Sequence, residues 1–305
     1  MHCGCAPAST PGQYPSNVEL RSKVIRPGVA VLLGGDGLVG CGNIGVSFGE
    51  DGTFLIDDGL PGDETSILAE LKKIGAAPPR FIVHTHWHYD HIGTNSFFAS
   101  SGATVAAHEN VRKRMASGGK VGRFAFEPAS GKALPLMTFE DGLTLHANGD
   151  TIDLRYVGGG HTDGDVIGYW RKANVVATGD LFSNILDYPY VDLDAGDAQD
   201  LQLTLQKIID LIDDDTIVIP GHGVLGKRAD IVAKRAQVLR ALDRVGELKN
   251  SGGGLEAVVE QDPLGAADMA PAASKTNREH TVRAIWQSLD RQSQPRIHGE
   301  LAALP

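Results

Sequence analysis

Cysteine is nearly absent, with three residues in 305, at positions 3, 5 and 41. That count and spacing exclude a disulfide framework and a zinc knuckle. No apolar run approaches the ~20 residues needed to cross a bilayer, so a membrane span is not expected. Positive charge is also scarce: 28 Lys and Arg stand against 38 Asp and Glu, a net charge of −10. A nuclease must meet phosphate with Lys and Arg, and the chain has no basic stripe to do so. Lys113-Arg114 and Lys120 to Arg123 are small basic patches that read as solvated faces. A small-molecule substrate is therefore expected rather than nucleic acid. What remains is ordinary for a globular enzyme, 42% hydrophobic and 22% charged residues, in a chain long enough to bury a sizeable core.

Against that background one segment stands out, His86-Trp87-His88-Tyr89-Asp90-His91. It follows Phe81-Ile82-Val83-His84-Thr85, which reads as a strand ending in a loop. Positions two apart on an extended chain point the same way, so His86 and His88 can reach one metal. The turning chain then hands Asp90 and His91 to a neighbouring ion. Imidazole and carboxylate are the ligands zinc prefers in hydrolytic sites. Three later strands each close on one more ligand type: Ile152–Val157 before His161, Val175–Ala177 before Asp180, and Ile217–Ile219 before His222. Glycines beside His161, Asp180 and His222 let the backbone come close to an ion. Seven ligands suffice for two zinc ions sharing one carboxylate. His84, two residues before His86, reads as buried structure rather than a ligand, while His108, His146 and His280 have no partner pattern and read as structural or exposed.

The order HxHxDH, lone His, lone Asp, final His, preceded by Asp57 in Leu55-Ile56-Asp57-Asp58-Gly59, resembles the metallo-β-lactamase superfamily over residues 28 to 225. The resemblance implies an α/β fold, a four-layer αβ/βα sandwich with added C-terminal helices. It implies that His86, His88 and His161 bind a first Zn²⁺ and that Asp90, His91 and His222 bind a second. Asp180 would bridge them, and Asp57 would orient a histidine from behind. Iron or manganese could replace zinc in such a set. The expected reaction is metal-assisted hydrolysis of a lactone, ester, thioester or β-lactam carbonyl, with Asp90 moving the proton and no serine nucleophile needed. Candidate substrate-wall residues are Trp87, Tyr89, Phe182, Tyr188 and Tyr190.

Three departures refine the resemblance. Asp180 stands where dedicated β-lactamases of the superfamily have Cys or a non-ligating residue, as in the glyoxalase II, lactonase and phosphodiesterase branches. Thr162-Asp163-Gly164-Asp165 replaces the T-x-G-H of those branches, which weakens a glyoxalase II assignment. The long arm of the RNA-processing branch is not evident. Redox branches place Glu where this chain has His88, which argues against them; an iron-loaded oxidoreductase stays as the alternative reading, together with a non-catalytic metal-binding scaffold, and a phosphodiesterase or nuclease ranks below both.

Organisation follows from periodicity. Residues 1–27 read as a flexible, Pro-rich leader, 28–225 as the catalytic domain, and 226–305 as a helical extension packed on it. Helices are expected over 63–74, 91–100, 198–211, 229–249 and 277–292, and residues 117–136 read as a long loop. Compartment stays open. The chain lacks an apolar signal region and reads as cytoplasmic, whereas Gly4-Cys5-Ala6 as a trimmed lipoprotein remnant would place it in the periplasm. No sequence pattern specifies an oligomeric state.

Overall fold

The computed structural model describes residues 19–34, 40–121, 124–185, 188, 190–265 and 275–292. Cys3, Cys5, the first 18 residues of the leader and the last 13 residues of the extension lie outside these.

Two sheets stack face to face. The first runs β1 (Arg21–Arg26), β2 (Val29–Leu33), β3 (Ile44–Gly49), β4 (Gly52–Ile56), β5 (Pro79–His84) and β6 (Thr104–His108), and closes on β9 (Met137–Phe139). The second runs β10 (Gly142–Ala147), β11 (Asp150–Tyr156), β12 (Val166–Trp170), β13 (Val175–Ala177), β14 (Ile217–Ile219) and β15 (Gly226–Lys227). A small hairpin, β7 (Gly119–Val121) with β8 (Phe124–Phe126), stands apart.

The layering follows from side-chain alternation, because neighbouring strand residues point to opposite faces. Val29 and Val31 of β2 enter the core between the sheets, while Ala30 and Leu32 enter the outer core. That outer core is covered by α1 (Glu64–Lys73) and α2 (Asn95–Ser100), through Ile67, Leu71 and Phe98. In the second sheet, Val175, Ala177 and Ile219 face inward. Val176 and Val218 face out, against α4 (Ala198–Leu211), α5 (Arg228–Asn250), α6 (Leu255–Glu260) and α7 (Lys275–Gln292). Helix, sheet, sheet, helix makes the four layers. Between α2 and the hairpin, α3 (Glu109–Ser117) follows β6. Its N-cap is the His108 side chain, which accepts from the Asn110 amide. No helix among the described residues is long and apolar enough to cross a membrane.

Several expectations need correcting. Residues 21–26, read as leader, form β1, which pairs antiparallel with β2. Their charge misled: an edge strand leaves one side open to water and commonly carries Lys and Arg. The stretch 117–136 holds a hairpin where its glycines suggested only a loop. The second helix begins at Asn95 rather than His91, because residues 91–94 turn the ligand run inward. The extension contains α6 in addition to its two long helices.

The two sheets approach closely at Gly168, where a Cβ would sit 2.0 Å from Ile56 Cδ1. No side chain fits there without moving a buried neighbour. Gly168→Val should therefore lower stability by about 1–3 kcal/mol, the usual scale of overpacking. Urea unfolding measures this, and an unchanged midpoint would show that the sheets separate freely.

Candidate metal centre

Loops at one edge of the sandwich carry the chemistry. β4 and β5 are parallel, as are β13 and β14, and β11 runs in the same direction as β13 across the intervening antiparallel β12. Their C-terminal ends therefore lie together, delivering Asp57, the 86–91 run, His161, Asp180 and His222 to one place. Two donor groups result: His86, His88, His161 and Asp180 in one, Asp90, His91 and His222 in the other, each with donors within 4.8 Å of one another.

Hydrogen bonds fix which nitrogen of each ring is bare. Thr85 Oγ1 donates to Asp57 Oδ2 at 2.8 Å and so accepts from His86 Nδ1 at 2.9 Å. His86 Nε2 is left buried without a partner. Asp192 Oδ2 lies 2.9 Å from His88 Nε2, and the Tyr190 carbonyl accepts from His161 Nδ1 at 2.7 Å. With both rings neutral, the remaining nitrogens, His88 Nδ1 and His161 Nε2, face each other at 2.9 Å with no proton between them. Two lone pairs at that distance repel unless a cation lies between them. The spacing is close to the ~3.3 Å edge of a tetrahedron built on ~2.0–2.1 Å zinc–nitrogen bonds.

The second group is assembled the same way. His91 Nδ1 donates to Asp57 Oδ2 at 2.8 Å, turning Nε2 toward Asp180 Oδ1 at 3.3 Å and His222 Nε2 at 3.4 Å. His222 Nε2 lies 3.1 Å from Asp90 Oδ2. Asp180 reaches both groups, Oδ1 toward His91 and His222 and Oδ2 toward His161 at 3.7 Å. Backbone geometry makes room for it. A Cβ on Gly221 would fall 1.9 Å from Asp180 Oδ1. Asp57 itself adopts a left-handed φ of 68°, unusual outside glycine, and its carboxylate also receives the Thr85 amide at 2.7 Å.

Electrostatics differ between the halves. Burial, reinforced by neighbouring histidines, holds His86 well below the usual imidazole range and His161 near a pKa of about 4, so both present lone pairs. Burial opposes charge on His222 too, but Asp180 and Asp90 outweigh it and lift that ring to about 10. His91 is raised against burial by Asp180, Asp90 and Asp57. One half is thus rich in lone pairs and the other in carboxylate charge, and both suit cations. The clusters are consistent with a binuclear metal site.

The expected substrate wall fares differently by residue. Phe182 and Tyr188 are buried in the core beneath α4 and α7, so they are packing residues rather than wall. Trp87 packs in a core with Val111 and Met115, its ring edge-on to His88 at 5.3 Å. It lines, with Tyr89, Ile92 and Phe126, an apolar cleft of about 190 Å³ that none of the seven donor residues borders. Tyr190 is half-buried, its ring edge-on to His88 and His161 at 6.1 and 6.0 Å. His84 is buried behind the run, Nε2 lying 2.5 Å from Asn95 Oδ1. Asp165, where a second His was absent, accepts from Thr162 N and Oγ1 and closes the turn after His161. Gly45-Val46-Ser47-Phe48-Gly49 spells a G-x-S-x-G pattern but lies inside β3. Ser47 there accepts from Asn148 and has no strand-to-helix turn to expose it as a nucleophile.

Sequence reasoning missed Thr85, Asp192 and the Tyr190 carbonyl, which set the histidine tautomers, and Asn43. The Asn43 side chain donates to the Pro220 and Gly223 carbonyls at 2.9 Å each, pinning the His222 loop. Asp192, in Tyr190-Val191-Asp192-Leu193-Asp194, was open to recognition as a carboxylate following the ligand series.

Comparison with known proteins agrees with this geometry. The profile of the metallo-beta-lactamase superfamily matches residues 39–222. The fold is similar to a metallo-beta-lactamase from Pontibacter korlensis, with a TM-score of 0.61 and 20% identity over 72% of this chain and 99% of that one. It is likewise similar to DIM-1 metallo-beta-lactamase (0.59, 20%, 73% and 98%) and to VMB-1 (0.59, 18%, 74% and 99%). The chain belongs to the metallo-β-lactamase superfamily. At these identities the solved structures speak to fold alone.

Asp180→Ala should halve the metal content, from about two ions to one, since three histidines still define the first position. Asp57→Ala, which frees the His91 ring, should weaken the second ion by roughly 10–100-fold. Elemental analysis and chelator competition measure both, and full occupancy in Asp180→Ala would remove its bridging role.

Proposed function

We propose that the protein is a binuclear metallohydrolase, with zinc the expected ion, acting on a small molecule that carries an activated carbonyl. A lactone, ester, thioester or β-lactam fits that description. The observation that carries the reading is Asp180, whose two oxygens reach separate donor groups. Two divalent cations, when bound, supply Lewis acidity that brings water toward a pKa of about 7 and polarises a carbonyl oxygen.

The chain's own residues supply orientation and proton transfer. His86, His88 and His161 are sealed from solvent, whereas the Asp90, Asp180 and His222 side chains keep 11–13% exposure. Substrate and water therefore approach from the carboxylate side. Burial works against charge on Asp90, but His91 and His222 outweigh it and hold the carboxyl below its ordinary range. It stays ionised at neutral pH and can accept a proton from water at Oδ2, then return it to the leaving group. The net charge of −10 favours a small neutral or weakly charged substrate over a polyphosphate. A carboxylate at position 180 supports the lactone, ester and thioester end of the range.

Zinc-loaded protein screened on lactones, thioesters, esters and nitrocefin should turn over at least one class. On that substrate, Asp90→Asn should keep most of its metal and lose roughly 10²–10⁴ in turnover, the scale of a general acid–base group. Near-normal turnover in Asp90→Asn would show that the proton moves elsewhere. Iron near one equivalent in purified protein that hydrolyses none of these classes would favour the oxidoreductase alternative.

A further inference from the structure

Two of the three histidines in the first donor group take their outer hydrogen bonds from a single loop, residues 190–197. Tyr190 supplies a carbonyl to His161, and Asp192 supplies a carboxylate to His88. The loop is partly self-supporting. Asp192 N donates to the His161 carbonyl at 2.9 Å, Gly196 N to the Asp192 carbonyl at 2.7 Å, and Asp192 Oδ1 receives the amides of Asp194 and Ala195. These bonds close the turn but do not hold its outer side.

That side is held by α7, which lies beyond the segment matched by the family profile. His280 Nε2 donates to the Val191 carbonyl at 2.8 Å, and its ring stacks on Tyr190 at 4.2 Å and 9°. Arg291 donates to the Leu193 and Gly196 carbonyls at 3.0 and 2.8 Å. Ser288 Oγ receives the Ala198 amide at 2.8 Å, where the loop becomes α4. Eleven residues are close to three full turns at ~3.6 residues each, so His280 and Arg291 share one face of the helix. Val282, Ala284 and Ile285 bury the helix in the core it shares with α4 and α5, so this face is held rigidly against the loop.

We propose that α7 positions the three-histidine metal site, with His280 as the positioning residue. It acts by holding Val191 between the two residues that orient His161 and His88. The inference rests on the metal-binding reading above. A carbonyl partner requires the His280 proton on Nε2, a role that a glutamine amide can also fill.

The test uses the full chain and cobalt(II) as probe, with binding followed by visible absorption and by chelator competition. Wild type must first bind two ions; failure there would overturn the metal reading itself. Given two ions, His280→Ala should weaken the first by about 10-fold or more, within the range known for lost outer partners, with an altered cobalt spectrum. His280→Gln should restore the affinity to within about threefold, because its amide reaches the same carbonyl. Ile285→Val, a packing change on the same helix, should lower the melting temperature without changing cobalt affinity. Wild-type affinity and spectrum in His280→Ala would overturn the proposal. So would glutamine binding as weakly as alanine, or an Ile285→Val loss of affinity matching that of His280→Ala.

Discussion

His88 Nδ1 and His161 Nε2 face each other at 2.9 Å with both other ring nitrogens already committed, one to Asp192 and one to the Tyr190 carbonyl. With both rings neutral, neither nitrogen has a proton to offer, and neither can turn to water, since both rings are buried. Facing lone pairs in a low-dielectric interior are unfavourable on their own. The arrangement becomes favourable when a cation sits between them, and the surrounding fold holds it in that form. Bare Nε2 on His86 points to the same requirement.

Much of the sandwich can be traced to keeping those atoms in place. The parallel pairs β4–β5 and β13–β14 put the ends of distant segments side by side. Asp57 at the end of β4 then reaches Thr85 and His91 together, so a single carboxylate sets ring orientation in both donor groups, directly for His91 and through Thr85 for His86. Gly221 clears the space that Asp180 needs. The inter-sheet core of Val, Ile and Trp170 holds the two halves of the site in fixed relation.

The donor residues were legible in the sequence because they are local in pattern: four lie within six residues, and each of the others follows a short apolar strand and a glycine. Their outer partners were not. Tyr190 acts through its carbonyl, a group every residue has, and His280 acts across 89 residues from a helix with no recognisable motif. Phe182 and Tyr188 were misread because aromatic residues in a loop after a ligand look alike whether they line a pocket or plug a core; only the packing of α4 and α7 decides. β1 was hidden by its charge, which suits an edge strand as well as it suits a leader. The layered fold was readable because alternation in β2, β5 and β13 serves two different cores, one on each face.

The central claim, two cations joined by Asp180, is tested most directly by anomalous diffraction at the zinc edge on crystals of the zinc-loaded protein. The account predicts two peaks per chain, roughly 3.5–4 Å apart. One should lie among His86, His88 and His161 and the other among Asp90, His91 and His222, with the Asp180 carboxylate between them. A single peak, or two that Asp180 does not touch, would contradict it.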